Sequence, residues 1–227
     1  MPAQDFNLIA YHPAMDPAAY DAWYDTPRGR WIGDTEFALA ARRLAAPAGA
    51  RLLDVGSGTG WFARRFAAAG LAVTGLDIDQ AWLDYARVHS DAALDWVAGD
   101  AAALPFADAS FDHVVSIAAL CFVTDEARAV AEIVRVTRRR FAIGWLNRAS
   151  LLYRQKGRHG GQGAYRGARW HDASEVRAMF TGLPVRNLRL DSAIFLPGGG
   201  PVARRLETRL PASLPFGALL LVSGDKA

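Results

Sequence analysis

The sequence predicts an α/β fold: a doubly wound three-layer sandwich around a mostly parallel seven-stranded sheet with an antiparallel edge strand. Between residues 51 and 146, short apolar runs alternate with amphipathic segments of roughly ten residues, as βαβ units do. These runs lack the polar alternation of half-exposed strands, which indicates strands buried on both faces. Two more apolar runs near the C-terminus are typical of an antiparallel addition to a parallel sheet.

Composition favours one folded domain spanning residues 1–227. The chain has 227 residues, of which 52% are hydrophobic and 22% charged, and this excludes a disordered chain. Its single cysteine, Cys121, excludes an intramolecular disulfide and a multi-cysteine metal site. No run reaches the ~18 apolar residues of a membrane span, and the first residues do not resemble a signal peptide. We therefore expect a soluble, cytoplasmic protein with no metal and no membrane partner.

The basic residues are almost all arginine. Only Lys156 and Lys226 are lysine, so 24 of the 26 basic residues are arginine, and the formal net charge is +3. Arginine binds phosphate and carboxylate through its forked guanidinium, but a compositional bias explains the surplus more simply. The small net charge does not indicate a nucleic-acid partner.

Residues 1–46 are predicted to form a helical N-terminal cover. Three aromatic residues at helical spacing share one face of the first helix: Tyr20, Trp23 and Tyr24. The Pro-Arg-Gly sequence at 27–29 is predicted to break this helix. Asp34 is a candidate cap for a second helix over residues 35–46.

Residues 50–146 are predicted to form the ligand-binding core. The predicted strands are 51–55, 71–77, 94–98, 111–117 and 141–146. The predicted helices are 61–69, 79–89 and 124–137. Strands joined by helices in this way are expected to lie parallel to one another.

Residues 147–227 are predicted to carry a substrate-side loop and the last strands. Residues 154–169 are rich in glycine and arginine, with few apolar anchors, and are predicted to be a mobile loop. Short helices are predicted over 173–181 and 202–210, and strands over 184–190 and 217–223.

The most informative segment is the glycine-rich turn at residues 56–60, between the first strand and the first core helix. Gly56 lets the chain turn with positive φ, and Gly58 lets a ligand approach the backbone. The helix N-terminus behind them is expected to offer free N–H groups and a positive dipole end. The turn therefore predicts a nucleotide-type ligand at the carboxyl end of the strand.

Two common nucleotide-binding patterns do not fit this turn. A dinucleotide-binding turn needs a glycine where Trp61 stands, and a phosphate-binding loop needs a lysine after its glycines. Asp54 places a carboxylate beside the turn. That carboxylate is unfavourable next to a pyrophosphate and favourable next to a cation such as a sulfonium.

With these residues the sequence resembles the class I S-adenosylmethionine-dependent methyltransferases, most closely the type 11 small-methyltransferase group, which have a Rossmann-like fold. The resemblance covers residues 50–146 well and the remainder loosely. It implies S-adenosyl-L-methionine as cofactor and S-adenosyl-L-homocysteine as product. The cofactor-binding residues that it implies are Asp54, Gly56, Gly58, Gly60, Asp77, Ile78, Asp100, Ala101 and Ser116.

The resemblance also implies a role for several of these residues. Asp77 ends the second strand, 23 residues after Asp54, and corresponds to the acid that binds both ribose hydroxyls. Ile78 corresponds to the residue on the adenine face, and Asp100 to the partner of the adenine amino group, with Ala101 giving a backbone contact. The three arginines at 138–140 depart from the family's Pro-Gly-Gly-type turn, which leaves the geometry there open.

No catalytic signature can be identified from the sequence. Methyl transfer is an in-line displacement that needs alignment and exclusion of water, and it needs a base only for a protonated acceptor. The segment 116–122 lacks the Asn/Asp-Pro-Pro-aromatic tetrapeptide of amino-methyltransferases acting on bases. The catalytic candidates are His171 and Tyr24. His171, which follows Trp170, is a candidate for a base or a pocket wall. Tyr24 is a candidate for binding the methionine carboxylate or shaping the pocket, and core packing explains it equally well.

The predicted function is methylation of a small-molecule acceptor at an O, N or C atom. An anionic acceptor is predicted if the loop arginines bind it: Arg154, Arg158, Arg166 and Arg169. The alternatives are a non-catalytic S-adenosylmethionine-binding partner protein, an RNA methyltransferase that uses the basic loop, and a nicotinamide-dependent oxidoreductase. Trp61 in the glycine turn argues against the last of these.

Overall fold

A computed structural model describes residues 16–91 and 93–227, which contain seven strands in one sheet. The strands are β1 (Arg51–Val55), β2 (Ala72–Asp77), β3 (Asp95–Ala98), β4 (Phe111–Ile117), β5 (Thr137–Leu146), β6 (Val185–Ala193) and β7 (Leu219–Lys226). Their order is β3-β2-β1-β4-β5-β7-β6. The chain thus runs outward from β1 to one edge and then from β4 to the other, which is the doubly wound topology predicted.

Strands β1 to β5 pair in parallel, and β7 is antiparallel to both of its neighbours. The α/β fold class is therefore confirmed. The position of the reversed strand differs from the prediction, because β7 lies between β5 and β6 and not at the edge. After β6 the chain returns into the gap beside β5, so the edge strand β6 runs in the same direction as β1 to β5.

The described residues contain seven α-helices. They are α1 (Pro17–Trp23), α2 (Pro27–Leu44), α3 (Trp61–Ala68), α4 (Gln80–Val88), α5 (Glu126–Val136), α6 (Ala173–Ala178) and α7 (Pro201–Glu207). Of these, α2 to α6 pack against this sheet and α1 packs against α4. Leu52 and Leu53 of β1 point to opposite faces of the sheet, and both are fully buried. Both faces are therefore covered, and the carboxyl ends of the strands remain as the open edge. No described helix is long and apolar enough to cross a membrane.

The N-terminal cover differs from the sequence prediction at its second helix. Residues 1–15 of the predicted cover lie outside the described residues. The first helix ends before Pro27 as predicted, but α2 begins at Pro27 and not at residue 35, with the Thr26 hydroxyl accepting a hydrogen bond from the Gly29 N–H at 3.0 Å. Asp34 lies inside α2, where it pairs with Arg65 at 2.5 Å and caps nothing.

The start of α2 can be tested by replacing its cap. Thr26→Ala is expected to lower the free energy of unfolding by about 1 kcal/mol, because the Gly29 N–H loses its acceptor. Asp34→Ala is the control, since removal of a partly exposed ion pair costs less, about 0.5 kcal/mol or below. Urea denaturation of both variants measures the difference. A larger loss for Asp34→Ala would restore Asp34 as the cap.

The arginines at 138–140 do not form a turn. Helix α5 ends at Val136, and β5 begins at the next residue, so all three lie inside the strand. Arg138 pairs with Asp112 of β4, and Arg140 pairs with Asp225 of β7 at 2.6 Å. These ion pairs hold β5 to its neighbours, and the family's glycine turn is not needed.

The segment 154–169, predicted to be a mobile loop, contains short helical turns over Tyr153–Gly157, Arg158–Gly160 and Gly163–Tyr165. The Trp170 ring lies against the rings of Tyr153 and Tyr165, with centroids 5.4 and 5.5 Å away. Tyr153, Tyr165 and Trp170 are the apolar anchors of this segment, and its glycine-rich composition obscured them. The segment therefore packs locally and places Tyr165 at the open edge of the sheet.

Candidate functional site

The glycine-rich turn connects β1 to α3 at the carboxyl edge of the sheet. Gly56 has φ +73° and Gly58 has φ +55°, conformations that favour glycine. A Cβ at position 56 would collide with Ala119. A Cβ at position 58 would reach 3.4 Å from the Trp82 ring. Each glycine is therefore required by backbone conformation, and Gly56 also by the close approach of the turn after β4.

The N–H groups of Gly56, Ser57, Gly58 and Gly60 are paired within the fold, whereas no side chain caps the start of α3 at Gly60, the helix N-terminus that the sequence predicts to be free. Gly56 and Ser57 both donate to the Leu76 carbonyl, at 2.7 and 2.9 Å. Gly58 donates to Asp77 Oδ2 at 2.7 Å, and the Gly60 N–H donates to the Ser57 carbonyl. These bonds fasten the turn to the end of β2. The turn therefore lets a ligand approach its backbone closely, but the paired N–H groups are not available as donors.

Two buried carboxylates lie beneath the turn. Asp54 and Asp77 are each only 2% exposed, and the recorded ion pairs of the described residues include neither. Asp54 Oδ2 has no hydrogen-bond partner in this part of the chain. Burial, together with the nearby Asp77 carboxylate, raises the pKa of Asp54 to about 7. Burial raises the pKa of Asp77 to about 6 despite N–H bonds from Asp79 and Gly58.

Asp54 is expected to make the protein less stable as the pH rises. Its pKa is about 7 in the folded chain, against the ordinary 3.8 that an unfolded chain would show, so the folded state binds the extra proton between these values. The stabilisation is complete below pH ~4 and is lost as the pH rises to about 7. Asp54→Asn should flatten this decline in urea-denaturation midpoints from pH 4 to 8. The same decline in both proteins would contradict the assignment.

A cavity of about 380 Å³ opens above the turn, within the size range of small-molecule sites. The turn residues Gly56–Thr59 form its floor. Aromatic side chains from the N-terminal helices form one wall, namely Tyr20, Trp23 and Tyr24. Opposite them lie Ile117, Phe122 and Leu146 from the ends of β4 and β5, together with Tyr165. The N-terminal cover and the segment after β5 thus enclose the same space.

Tyr24, a catalytic candidate from the sequence, lines this cavity. Its ring stacks on Trp61 with centroids 4.2 Å apart. Burial raises the pKa of Tyr24 well above its usual value, and burial raises the pKa of Tyr165 to about 12. Both phenols therefore keep their protons at neutral pH. Both are poor bases; Tyr24 donates its hydroxyl hydrogen to Tyr20, and Tyr165 can donate a hydrogen bond to a ligand.

His171, the other catalytic candidate, does not line the cavity. Its Nε2 lies 2.9 Å from Glu126 Oε2, and its backbone bridges to Asn147 beyond β5. Glu126 is buried and also accepts from Arg169 at 2.5 Å and from Trp145 Nε1 at 3.2 Å. This network fixes the end of the 154–169 segment to α5. The geometry gives His171 a structural partner and does not support a role as base.

The other sequence-predicted cofactor residues follow the carboxyl ends of β2, β3 and β4. Ile78 is 43% exposed directly after β2. Asp100 accepts from the Ala102 N–H at 2.8 Å, and Ala101 is buried beside it. Ser116 is fully buried near the end of β4, and its hydroxyl has no partner among the described residues. They share one edge with the turn but lie outside the cavity lining, so their cofactor roles stay predictions.

Sequence reasoning missed several residues of the cavity. Arg28, Trp61, Phe62, Trp82, Ala118 and Phe122 line it. Trp61 and Phe62 directly follow the glycine turn, and that adjacency was the available signal. Arg28 was hidden because the second helix was expected to start after it. No group of three or more metal-ligating side chains occurs in the described residues.

Comparison with known proteins agrees with this geometry. Residues 53–140 match the family described as a methyltransferase domain, type 11. The predicted resemblance is confirmed over this segment. The matched segment runs from β1 into β5, and so it contains the glycine turn, Asp77 and Asp100.

Two curated relatives extend the comparison. A malonyl-[acyl-carrier protein] O-methyltransferase of Erwinia pyrifoliae is 46% identical over 88 residues, which are 39% of this chain and 33% of that protein. An uncharacterized Mycobacterium tuberculosis protein is 36% identical over 193 residues, 81% of this chain and 63% of that one. The chain therefore spans less than two thirds of the length of both relatives.

A solved structure shows that the likeness extends to the whole fold. A SAM-dependent methyltransferase from Thermotoga maritima superposes with a TM-score of 0.72 at 21% identity. The match covers 92% of this chain and 96% of that one. At this identity the likeness establishes the fold, including the N-terminal helices and the strands after β5.

Proposed function

We propose that this protein transfers a methyl group from S-adenosylmethionine to a small-molecule acceptor bound in the cavity. The observation that carries the proposal is the glycine turn over two buried carboxylates, Asp54 and Asp77, that have no recorded cationic partner. Anionic groups with raised pKa values beneath an apolar cavity favour a cationic ligand over a phosphate. The methyltransferase-domain match over residues 53–140 supports the same cofactor.

The residues present fit this cofactor. A carboxylate has about four acceptor positions, and the backbone N–H bonds on Asp77 from Gly58, Ile78 and Asp79 leave about one for a ribose hydroxyl. Ile78 presents an exposed apolar side chain for the adenine face, and Asp100 is proposed for the adenine amino group. Asp54 Oδ2, which has no hydrogen-bond partner within residues 16–91 and 93–227, contributes negative charge beneath the glycine turn.

When bound, S-adenosylmethionine supplies a methyl group already activated by its sulfonium. The cavity residues therefore mainly orient the acceptor and exclude water. The lining residues Tyr20, Tyr24 and Tyr165 all have raised pKa values; Tyr24 donates to Tyr20, and Tyr20 and Tyr165 can hold an acceptor through donated hydrogen bonds. We accordingly propose an acceptor whose attacking atom has a free lone pair at neutral pH, because no described lining group is suited to remove a proton.

Calorimetry with S-adenosylmethionine, S-adenosylhomocysteine and NAD tests the cofactor assignment. We expect both sulfur ligands to bind and NAD not to bind, because Trp61 occupies the position of the third dinucleotide-binding glycine. Tight binding of NAD alone would replace the proposal by an oxidoreductase. Salt-dependent RNA binding that is lost when Arg154, Arg158 and Arg166 are neutralised would favour the RNA methyltransferase alternative.

A further inference from the structure

Arg28 is the one ionised side chain among the described residues that line the cavity. It is the second residue of α2 and is partly buried. Its Nε donates to the Pro197 carbonyl at 2.6 Å, which leaves the two terminal nitrogens of the guanidinium. No ion pair to Arg28 is recorded within residues 16–91 and 93–227. A positively charged fork thus faces a mostly apolar space.

This lack of an acidic partner sets Arg28 apart from nearby arginines. Arg30, in the same turn of α2, pairs with Asp25 at 3.0 Å. Arg64, in the helix α3 that follows the glycine-rich turn, pairs with Asp21 at 2.8 Å. Water solvates exposed guanidinium groups well, but a partly buried one costs free energy unless an anion or carbonyl compensates it. The single carbonyl on Arg28 compensates only part of this cost, so the remaining donors suit a ligand anion.

The side chain is also held in place for such a ligand. A Cβ on Gly199 would lie 3.2 Å from Arg28 Cγ, so the Pro-Gly-Gly-Gly turn packs against the arginine stem. Burial raises the pKa of Tyr165, and the positive charge of Arg28 opposes this rise. The guanidinium therefore lies near the Tyr165 ring. Glu36 is the acid that faces the same tyrosines. Burial and then Glu207 raise the Glu36 pKa to about 8, with no contribution from Arg28.

We propose that Arg28 binds a carboxylate of the acceptor, and that the acceptor is a small carboxylate with an aromatic or alkyl body. Aromatic rings and aliphatic side chains cover the rest of the cavity walls, which suits such a body. A guanidinium fork matches the two oxygens of a carboxylate. The inference deepens the proposed function and rests on it.

The position of Arg28 favours the acceptor over the carboxylate of the cofactor's methionine part. The predicted cofactor residues follow β1 to β4, whereas Arg28 contacts Pro197, beyond β6, and influences Tyr165, beyond β5. Tyr165 lines the cavity, and both Tyr165 and Pro197 belong to the stretch 147–227 that the sequence predicts to be the substrate side. The experiment below separates the two carboxylates.

Calorimetry in saturating S-adenosylhomocysteine provides the test, with phenylacetate, 3-phenylpropionate and 1-naphthoate each compared with its amide. In the wild-type protein we expect at least one carboxylate to bind about 10-fold or more tightly than its amide. Arg28→Gln should reduce this preference to within about twofold, and Arg28→Lys should keep part of it. Arg30→Gln removes the same charge two residues further along α2, at a position outside the cavity lining. It should leave the preference for carboxylate over amide unchanged.

The other outcomes contradict the inference, and each shows which of its assumptions is wrong. If no carboxylate is preferred, or if Arg28→Gln keeps the preference, Arg28 does not bind an acceptor carboxylate. If Arg28→Gln instead weakens S-adenosylhomocysteine about 10-fold, the bound carboxylate belongs to the cofactor. If the wild-type protein does not bind S-adenosylhomocysteine, the proposed function fails, and this inference fails with it.

Discussion

Asp77→Ala is expected to weaken the binding of S-adenosylhomocysteine about 10- to 150-fold, equivalent to ~1.5–3 kcal/mol. Asp77 is buried at the end of β2, where a ribose would lose a charged hydrogen-bond partner. The same carboxylate accepts the Gly58 N–H at 2.7 Å, so its removal also loosens the glycine turn. Calorimetry at pH 8, above the Asp77 pKa of about 6, measures the effect with the carboxylate ionised.

Two further variants separate cofactor binding from general damage to the turn. Asp77→Asn removes the negative charge but keeps one oxygen as a hydrogen-bond acceptor. It should therefore retain more folding stability than Asp77→Ala. Asp79→Ala removes the cap of α4, whose carboxylate accepts the Ala81 N–H at 2.9 Å, and should cost about 1 kcal/mol of stability. Its affinity for S-adenosylhomocysteine should stay within about twofold of wild type. Equal affinity of Asp77→Ala and wild type would refute the site assignment.

Gly58→Val is expected to reduce S-adenosylhomocysteine binding by at least about 100-fold, or ~2.7 kcal/mol. The residue lines the cavity floor with φ +55°, and an added Cβ would already lie 3.4 Å from the Trp82 ring. Valine adds two further methyl groups at this position, and they would enter the space that a ligand needs. Calorimetry and urea denaturation on the same sample measure affinity and stability.

Gly49→Val controls for the strain of placing a branched residue at positive φ. Gly49 has φ +78°, and no atom lies within 4 Å of a Cβ built there. Both variants should lose about 1–3 kcal/mol of stability from backbone strain, but only Gly58→Val should lose the ligand. Normal binding by folded Gly58→Val would show that the backbone of this turn does not approach the cofactor.

Local sequence patterns were sufficient for the central sheet. Helix-forming and strand-forming runs predicted β1 and β4 at their observed bounds, because short apolar strands there are flanked by glycine or polar residues. The glycine turn was recognisable for the same reason, since its residues are adjacent in the chain. The start of α2 was missed because Pro27 was interpreted as a break, although proline is favoured in the first turn of a helix.

Features that depend on distant parts of the chain could not be predicted in this way. The cavity wall combines Tyr24, Trp61 and Tyr165 from three separate regions, and only the folded sheet brings them together. The bonds that fasten the glycine turn to β2 were not predicted either, because their acceptors, the Leu76 carbonyl and the Asp77 carboxylate, lie at the end of another strand. Likewise, the location of β7 between β5 and β6 depends on pairing with residues far away in sequence.

Transfer of a labelled methyl group to a small molecule is the most direct test of the proposed activity. The protein would be incubated with S-adenosylmethionine tritiated on the methyl group and with a pool of cellular small molecules, beside Gly58→Val as a control. We predict that label moves into the small-molecule fraction with the wild-type protein and not with the variant. Wild-type protein that binds S-adenosylmethionine but transfers no label would contradict methyl transfer and favour a non-catalytic binding protein.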